Sequence, residues 1–523
     1  MKILIKNGTV YNGTGEAPEI EDVLIEGSAI SRVGKNLSEK GCDRVVDAAG
    51  CSVAPGFIDA HSHNDFFVTR DDSATAVSPF LKQGITTQVV GNCGFSVIGV
   101  DPETEHKRLI GGGLFHTDRP MPLKQWVAEN EGRLDLNVVP LVGHGSARTS
   151  VSGYRNGPLA DDEKQRMLAL LEQDMKDGAW GGSFGLMYEP GMYARREELS
   201  DFAAVIKKYD GILTVHPRAC SDVSNGFSLL RPHHLELGLR EVTDIMEKTG
   251  VRTEYSHLIF TGTKSWPRLS SMLGKIHAFR DRGFEIGYDM YSYTYGASVI
   301  TVLLPPDFMA APKEKRAKGF TYRKARMLMS LTKVLLGLSF SDMVIAYIGR
   351  GYEKYEGRAL TDIAREEGLP DTEMYLKLVE LSGGQGRIYL DSYYNDEIIE
   401  TLMRDDLSIF MTDAWYEDNG LQNSSAYTCY PRFFQLARKY GIPTERIIRK
   451  MTGQTADRYH LERRGYLKEG YAADVIVFKD WEITAPTESP RGIAELFVNG
   501  VEAVRDDGFI DCKAGKFILK GRE

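Results

Sequence analysis

The chain has 523 residues, of which 42% are hydrophobic and 26% are charged, and its formal net charge is −9. This composition is typical of a soluble globular protein, and the negative charge argues against a nucleic-acid partner. No apolar run approaches the roughly 20 residues that span a bilayer, and the first residues lack the apolar stretch of a signal peptide. We therefore expect a cytoplasmic protein with no membrane partner and with reduced cysteines.

The two ends of the chain share one sequence pattern. Residues 1–54 and 464–523 both alternate short β-branched runs with turns such as NG and EG, which is typical of small antiparallel sheets. Chain termini also tend to lie close together at the surface. We expect both ends to build one composite β-domain, a small β-sandwich.

Eight short apolar runs lie between these ends. Each stops at a glycine or a polar residue, and most precede a helical pattern. The runs are 53–63, 84–93, 136–145, 181–188, 211–218, 252–260, 284–293 and 407–415. A doubly wound sheet would show the same alternation, but eight runs favour an α/β fold with a (β/α)₈ TIM-like barrel over residues 55–463.

The interval between the seventh and eighth runs is too long for one strand–helix unit. Residues 297–405 are therefore expected to form an inserted subdomain within the barrel. Its segment 303–337 is both apolar and basic, and we expect this segment to form the core of the insert.

Residues able to bind a metal follow the predicted strands. His61 and His63 alternate on the first strand and so share a face. The other candidates end the second, fifth, sixth and eighth runs and are Cys93, His216, His257 and Asp413. Each one alone has an ordinary structural explanation, such as a buried thiol or a helix cap. Because the carboxyl ends of barrel strands share one rim, their coincidence there predicts a metal centre.

Several motifs resemble those of a known family. PGFIDAHSHND, TTQVVGNCGFS, VGHGSAR, TVHPR, YSH, YDMYSYTYGAS and EGYAADVIVF occur in order along almost the whole chain. Together they resemble the amidohydrolase superfamily, and within it the N-acyl-D-amino-acid deacylases, or D-aminoacylases. Most binuclear members bridge their metals with a carboxylated lysine on strand four. The segment GGSFGLMYE has no lysine, so the resemblance implies that the Cys93 thiolate takes that place.

The resemblance also implies a division of the metal ligands. Cys93, His216 and His257 would form a tight zinc site, with His61, His63 and Asp413 near a second, weaker site. One or two Zn²⁺ ions per subunit are then expected. A thiolate and two imidazoles suit zinc and leave a position open for water, whose pKa falls to about 7. Asp413 is the candidate general base for that water.

Further candidates surround this centre. Asp65 is a candidate for orienting an imidazole, with a structural ion pair as the alternative. Tyr293, preferred over Tyr291, is the candidate donor to a developing oxyanion. The predicted substrate-binding residues are His144, Arg148, Arg218, Tyr188 and Tyr291.

The chain departs from the family at two positions. D-aminoacylases usually hold the α-carboxylate of the substrate with a lysine and an arginine, where this chain has Ile259 and Ser425. Each charge-assisted hydrogen bond of this kind contributes about 1.5–3 kcal/mol. The resemblance therefore implies a small amide other than a standard N-acyl-D-amino acid, recognised through apolar and aromatic contacts. The alternative is that Arg218, or Arg323 and Lys324 of the insert, supply the missing positive charge.

These features predict a zinc-dependent hydrolase that cleaves the C–N bond of a linear amide. Two alternatives stay open: a cyclic amidase or deaminase of the same superfamily, and a non-catalytic scaffold on the same fold. The segments TVHPRAC and EYSHLIF lack the HxxE-type pair typical of a deaminase, and six filled ligand positions argue against a scaffold. A homo-oligomer is compatible with the resemblance.

Overall fold

The computed structural model of the chain describes residues 1–111, 115, 117, 119–224, 227–228, 231–304, 308–309 and 311–522. Its described strands are numbered β1 to β20 and its helices α1 to α15, in chain order. Residues 305–307 and 310 of the predicted insert, and residue 523 of the predicted β-domain, lie outside the described residues. Within the described ranges, no helix has both the length and the apolar character needed to cross a bilayer.

Both chain ends contribute to one nine-stranded sheet. The N-terminal part supplies β1 (Lys2–Val10), β2 (Glu19–Glu26), β3 (Ala29–Gly34), β4 (Arg44–Asp47) and β5 (Ser52–Pro55). The C-terminal part supplies β17 (Val475–Glu482), β18 (Arg491–Val498), β19 (Val501–Arg505) and β20 (Gly508–Phe509). The two parts join where β5 pairs antiparallel with β17. Apolar residues of this sheet enclose a small core separate from that of the barrel. The domain boundaries stay a prediction.

Eight parallel strands form a second sheet, in which each strand pairs with the strand of the same sheet that follows it in the sequence. They are β6 (Phe57–Asp59), β7 (Ile85–Val90), β8 (Asn137–Gly143), β9 (Gly181–Gly185), β10 (Ile212–His216), β11 (Arg252–Tyr255), β12 (Ile286–Met290) and β16 (Ser408–Phe410). Every residue of these strands is buried, as expected for strands covered on both faces. All eight predicted strands are present, which confirms the α/β barrel.

The first and last barrel strands meet just beyond their carboxyl ends. Ser62 and Ala414 form a parallel bridge. The backbone N–H of Asp413 donates to the carbonyl of His61 at 2.9 Å, and that of His63 donates to the carbonyl of Ala414 at 3.2 Å. The segments that close the barrel are therefore the ones that carry three of the candidate ligands.

Helices between and after the barrel strands pack on the sheet or on one another. They are α1 (Ser73–Leu81), α2 (Leu123–Asn130), α3 (His144–Ser152), α4 (Asp161–Asp177), α5 (Arg196–Lys208), α6 (His234–Thr249), α7 (Leu269–Asp281), α12 (Asp396–Arg404), α13 (Ser425–Tyr440), α14 (Thr444–Met451) and α15 (Gly453–Tyr459). Helix α4 shows why such segments are helical. Its apolar residues Met167, Leu171 and Met175 recur at helical spacing and are buried, and the helix ends at Gly178, which has φ of 110°.

Most of the chain between β12 and β16, up to α12, forms the insert. Its three strands, β13 (Gly296–Val299), β14 (Met343–Tyr347) and β15 (Arg387–Leu390), make an antiparallel sheet in the order β13-β15-β14. Its helices are α8 (Lys313–Ala317), α9 (Phe320–Leu336), α10 (Leu360–Glu366) and α11 (Asp371–Leu381). The expectation that segment 303–337 forms the insert's core is wrong for most of α9. Only one face of that helix is buried, and large apolar side chains on its other face are exposed.

Candidate active site

The candidate metal ligands come together at the carboxyl ends of the barrel strands, and they form two groups that share Cys93. The first comprises Cys93, His216 and His257, and the second comprises His61, His63, Cys93 and Asp413. In each group the ligand atoms lie within 4.8 Å of one another. The six residues selected from the sequence therefore lie at one place in the fold.

Three of these residues have backbone conformations that side chains seldom adopt. The φ angles are 51° at Cys93, 34° at His257 and 47° at Asp413. Left-handed conformations at non-glycine residues cost free energy and persist only where the surrounding structure imposes them. Their concentration in one cluster, just beyond the carboxyl ends of three barrel strands, is typical of a functional site.

The cysteine loop is fixed by the fourth barrel strand. The Ser183 hydroxyl donates to the carbonyl of Gly91 at 2.6 Å and accepts from the N–H of Gly94 at 2.9 Å. The neighbouring strand residue Gly185 leaves the space that the Cys93 carbonyl occupies, since a Cβ there would lie 1.9 Å from that oxygen. The segment GGSFG thus positions Cys93 in two ways. The Ser183 hydroxyl binds the cysteine loop, and Gly185 has no side chain that would displace the Cys93 carbonyl.

The distances in the first group fit a small cation. Cys93 Sγ lies 3.6 Å from His216 Nδ1 and 3.4 Å from His257 Nε2. Ordinary Zn–N and Zn–S bond lengths place the donors of a tetrahedral site about 3.3–3.6 Å apart. The two imidazole nitrogens are closer, at 2.8 Å. A buried thiol beside two buried imidazoles is also the donor chemistry that zinc prefers.

The second group extends this cluster toward Asp413. His61 Nε2 lies 3.3 Å from Cys93 Sγ and 3.4 Å from Asp413 Oδ1. His63 Nε2 lies 3.3 Å from the same carboxylate oxygen. Asp413 keeps part of its side chain exposed, while both histidines are buried. A carboxylate and two imidazoles next to a thiol could hold a second ion.

Burial and charge set the protonation states of these groups. Burial lowers the pKa of His61 to about 3, and it also lowers the pKa values of His216 and His257. Burial alone would raise the pKa of Asp413, but interactions with His61 and His63 outweigh it and hold that pKa well below its usual value. Neutral imidazoles and an ionised carboxylate are the forms that bind metals.

Cys93 differs from the other ligands in its ionisation. Burial, followed by the nearby carboxylates of Asp413 and Asp289, raises the pKa of the Cys93 thiol. A bound cation reverses this effect, because coordination deprotonates a thiol outright. The Cys93 thiolate would therefore form together with a bound cation.

Two contacts behind the ligands were missed by the sequence reasoning. Asp289 Oδ2 lies 3.4 Å from His61 Nδ1, and its other oxygen accepts the backbone N–H of His257. Cys220 Sγ lies 3.8 Å from His216 Nε2, on the side of the ring away from Cys93. Such contacts orient imidazole ligands. The signal for Asp289 was its place at the end of the seventh strand, in YDMYSY.

Asp65 is buried near the cluster without a described hydrogen bond to a histidine. Its Oδ2 accepts the backbone N–H of Val97 at 3.1 Å. Burial raises its pKa to about 7, against the opposing charge of His63. An orienting role for Asp65 stays a prediction that this contact does not test.

A small cavity opens beside the second ligand group. The described residues that line it are His63, Cys93, Phe95, Phe115, Tyr188, Ala297, Ser298, Val299, Asp413 and Trp415. None of these described residues is an arginine or a lysine. Strand β13 of the insert supplies Ala297, Ser298 and Val299, so the insert forms one wall of the cavity. This wall could not be assigned to the site from the sequence.

The predicted tyrosines differ in position. Tyr188 lines the cavity, and its ring centroid lies 4.6 Å from that of His216. Tyr293 and Tyr291 are not among the described lining residues. The Tyr293 hydroxyl lies 2.5 Å from Thr428 Oγ1, and Tyr291 packs against Tyr394 with ring centroids 5.6 Å apart. The geometry brings Tyr188, and neither of the other two, to the cavity.

His144 and Arg148 are not among the described lining residues of the cavity and lie in a buried cluster. Glu198 Oε1 lies 2.9 Å from His144 Nε2 and accepts from Arg148 Nε at 2.9 Å. Both His144 and Arg148 are 0% exposed. The two residues therefore share one carboxylate partner, Glu198, which the sequence reasoning did not select.

Arg218 likewise forms its hydrogen bonds with other residues of this chain. Its Nε donates to both carboxylate oxygens of Glu241, at 2.9 and 3.2 Å, and its Nη1 donates to the carbonyl of Met192 at 2.7 Å. It does not appear among the described lining residues of the cavity. The guanidinium is thus held on Glu241.

Comparisons with known proteins indicate one family. A sequence model described as the amidohydrolase family matches residues 44–312. The chain is 26% identical to the D-aminoacylase of Alcaligenes xylosoxydans xylosoxydans, over 99% of this chain and 97% of that protein. A crystal structure of D-aminoacylase, described as defining a novel subset of amidohydrolases, matches with a TM-score of 0.79 and 25% identity over 99% of both chains.

A second solved structure carries a metal and an inhibitor. It is N-acyl-D-glutamate deacylase from Bordetella bronchiseptica, complexed with zinc and a phosphonate that mimics the tetrahedral intermediate, and it matches with a TM-score of 0.78 and 25% identity over 99% of both chains. The family match covers more than half of this chain and includes five of its six candidate ligands, all except Asp413. The chain belongs to the amidohydrolase family.

Proposed function

We propose that this protein is a zinc-dependent hydrolase that cleaves the C–N bond of a linear amide. The observation that carries the proposal is the pair of donor groups that share Cys93 beside the cavity. Family membership and the likeness to deacylases support amide hydrolysis as the reaction. The zinc complex of the deacylase from Bordetella bronchiseptica supports zinc as the metal.

Cys93, His216 and His257 would hold the tighter ion, and His61, His63 and Asp413 would bind near a second one. A bound zinc ion supplies Lewis-acid polarisation of the amide carbonyl and lowers the pKa of water at the site. Residues of this chain would then accept the proton from water and transfer it to the leaving group. Asp413 is ionised and partly exposed to the cavity, so it can accept the proton of the attacking water and deliver it to the departing amine.

A phenol from the cavity wall would stabilise charge on the carbonyl oxygen. We assign this role to Tyr188, because it lines the cavity next to His216. The hydroxyl of Tyr293, the tyrosine preferred from the sequence, is hydrogen-bonded to Thr428. Burial raises the pKa of Tyr188 well above its usual value, so the phenol keeps its proton and acts as a donor.

The substrate that the cavity favours is an uncharged amide with apolar or aromatic groups. The described lining offers aromatic faces from Phe95, Phe115, Tyr188 and Trp415. Arg218 is held by Glu241. At the two positions where the resemblance leads us to expect a lysine and an arginine, the chain has Ile259 and Ser425, and both are buried. A free α-carboxylate would therefore bind without charge-assisted partners from these positions.

The experiment compares matched substrates. Release of acetate is measured from N-acetyl-D-phenylalanine and from its neutral carboxamide analogue with the zinc-loaded protein. We expect kcat/KM to be about tenfold or more higher for the neutral substrate, because the free carboxylate would lose hydration in the cavity without gaining a charged partner. A clear preference for the free acid would refute the substrate assignment, while acetate release from neither would count against the deacylase reaction.

A further inference from the structure

Helix α9 of the insert presents a stripe of large apolar side chains to solvent. The exposed fractions are 82% for Phe320, 63% for Met327, 47% for Leu331, 73% for Val334 and 41% for Leu335. Spacings of seven, four, three and one residues place them on one helical face. At 1.5 Å per residue the stripe is about 22 Å long. Exposed apolar stripes of this size mark interaction surfaces.

The opposite face holds the helix on the protein. Ala325, Met329 and Leu336 are buried, and Arg326 pairs with Glu373 of α11 at 3.3 Å. The carboxyl end of the helix meets the loop after β11, where the N–H of Lys264 donates to the carbonyl of Leu336 at 3.1 Å. The exposed stripe therefore belongs to an anchored helix at the end of the barrel that carries the active site.

The segment around the stripe is strongly basic. Residues 313–336 contain eight lysines and arginines and one glutamate, in a chain whose net charge is −9. Arg316 and Arg326 pair with acidic residues of α11. Lys315, Lys318 and Arg323 are exposed next to the beginning of the stripe. A basic patch thus borders an apolar one on a protein that is acidic as a whole.

We propose that α9 docks the protein on the surface of an anionic lipid bilayer. Apolar side chains on one face of a helix enter the boundary between headgroups and acyl chains, and flanking lysines and arginines reach the lipid phosphates. A second copy of the chain fits less well, because a two-fold contact through this stripe would bring basic residues against basic residues. The expectation of no membrane partner was based on spanning segments and does not bear on a helix that lies on a surface.

The proposal is tested by vesicle flotation with the full-length, zinc-loaded protein. One set of vesicles is phosphatidylcholine alone, and the other is phosphatidylcholine mixed with phosphatidylglycerol. The wild type is expected to float only with the anionic vesicles, and less so at high salt. The variant carrying Met327→Gln, Leu331→Gln and Val334→Gln is expected to lose about tenfold or more of this binding.

A matched control carries Ile20→Gln and Val501→Gln, which alter exposed apolar residues of the terminal sheet and are expected to leave flotation unchanged. Circular dichroism of all variants checks that they fold. Wild-type protein that floats with neither vesicle set, or a triple variant that floats as well as the wild type, would overturn the proposal. So would a vesicle-free dimer that the triple variant dissociates, since the stripe would then join two copies of the chain. The inference does not depend on the proposed reaction.

Discussion

Gly185 on the fourth barrel strand and Cys93 on the loop after the second lie in direct backbone contact. A Cβ on residue 185 would stand 1.9 Å from the carbonyl oxygen of Cys93. Because the loop is also clamped by Ser183, it has little freedom to move away. The position of Cys93, the candidate ligand shared by both groups, therefore depends on a glycine two strands away.

Gly185→Ala is expected to displace Cys93 and weaken metal binding by at least about tenfold, since the added methyl group forces a backbone shift at a ligand. Zinc affinity is measured by competition with a chromogenic chelator. Gly274→Ala in α7 is the matched control, because a Cβ there meets nothing within 4 Å. Unchanged zinc affinity in Gly185→Ala would show that the contact does not position the ligand.

Glu198→Gln separates a structural role of the buried cluster from a role in substrate binding. The substitution leaves Arg148 without its carboxylate partner, and breaking a buried ion pair costs about 3–5 kcal/mol of the free energy of unfolding. We expect a lower urea midpoint with KM nearly unchanged for protein that stays folded. A rise in KM at unchanged stability would indicate instead that His144 and Arg148 contact the substrate.

Ile259→Lys tests whether the missing cation sets the substrate preference. A lysine at this position is expected to raise kcat/KM for the free acid relative to its neutral analogue by about tenfold, through one charge-assisted hydrogen bond. Ile259→Met controls for side-chain length at a buried position and should leave that ratio unchanged. An equal ratio in the two variants would argue against carboxylate recognition at this position.

Asp413→Asn is expected to lower kcat by about 10²–10⁴-fold, since the amide cannot accept the proton of the attacking water. The tight group Cys93, His216 and His257 does not include this residue, so at least one zinc ion per chain should remain. Zinc content is measured beside turnover in the same preparation. Wild-type turnover in the variant would remove Asp413 from the role of general base.

The barrel, and the clustering of the candidate ligands at one of its ends, could be predicted because their signals are local. Each barrel strand is a short, fully buried run, and the candidate ligands lie at the ends of such runs or shortly after them: His61, Cys93, His216, His257 and Asp413. Parallel strands bring their carboxyl ends together whatever the loops do. The family resemblance then separated these residues from ordinary buried ones.

The rest of the site depends on contacts between distant segments. Tyr293 and Tyr188 both follow strands, so the local sequence does not distinguish them. The hydroxyl of Tyr293 is hydrogen-bonded to Thr428, a contact between distant segments that only the folded structure reveals. The place of Ala297, Ser298 and Val299 in the cavity wall depends on how the insert folds back. Glu198 and Glu241 engage residues up to about fifty positions away, which no local pattern indicates.

The most direct test of the central claim is hydrolysis of a neutral N-acetyl amide before chelation, after chelation and after zinc is restored, with zinc content measured each time. We expect one or two zinc ions per chain at the start, loss of turnover as zinc is removed, and recovery when stoichiometric zinc returns. Turnover that persists in zinc-free protein, or active protein that never held stoichiometric metal, would contradict the account.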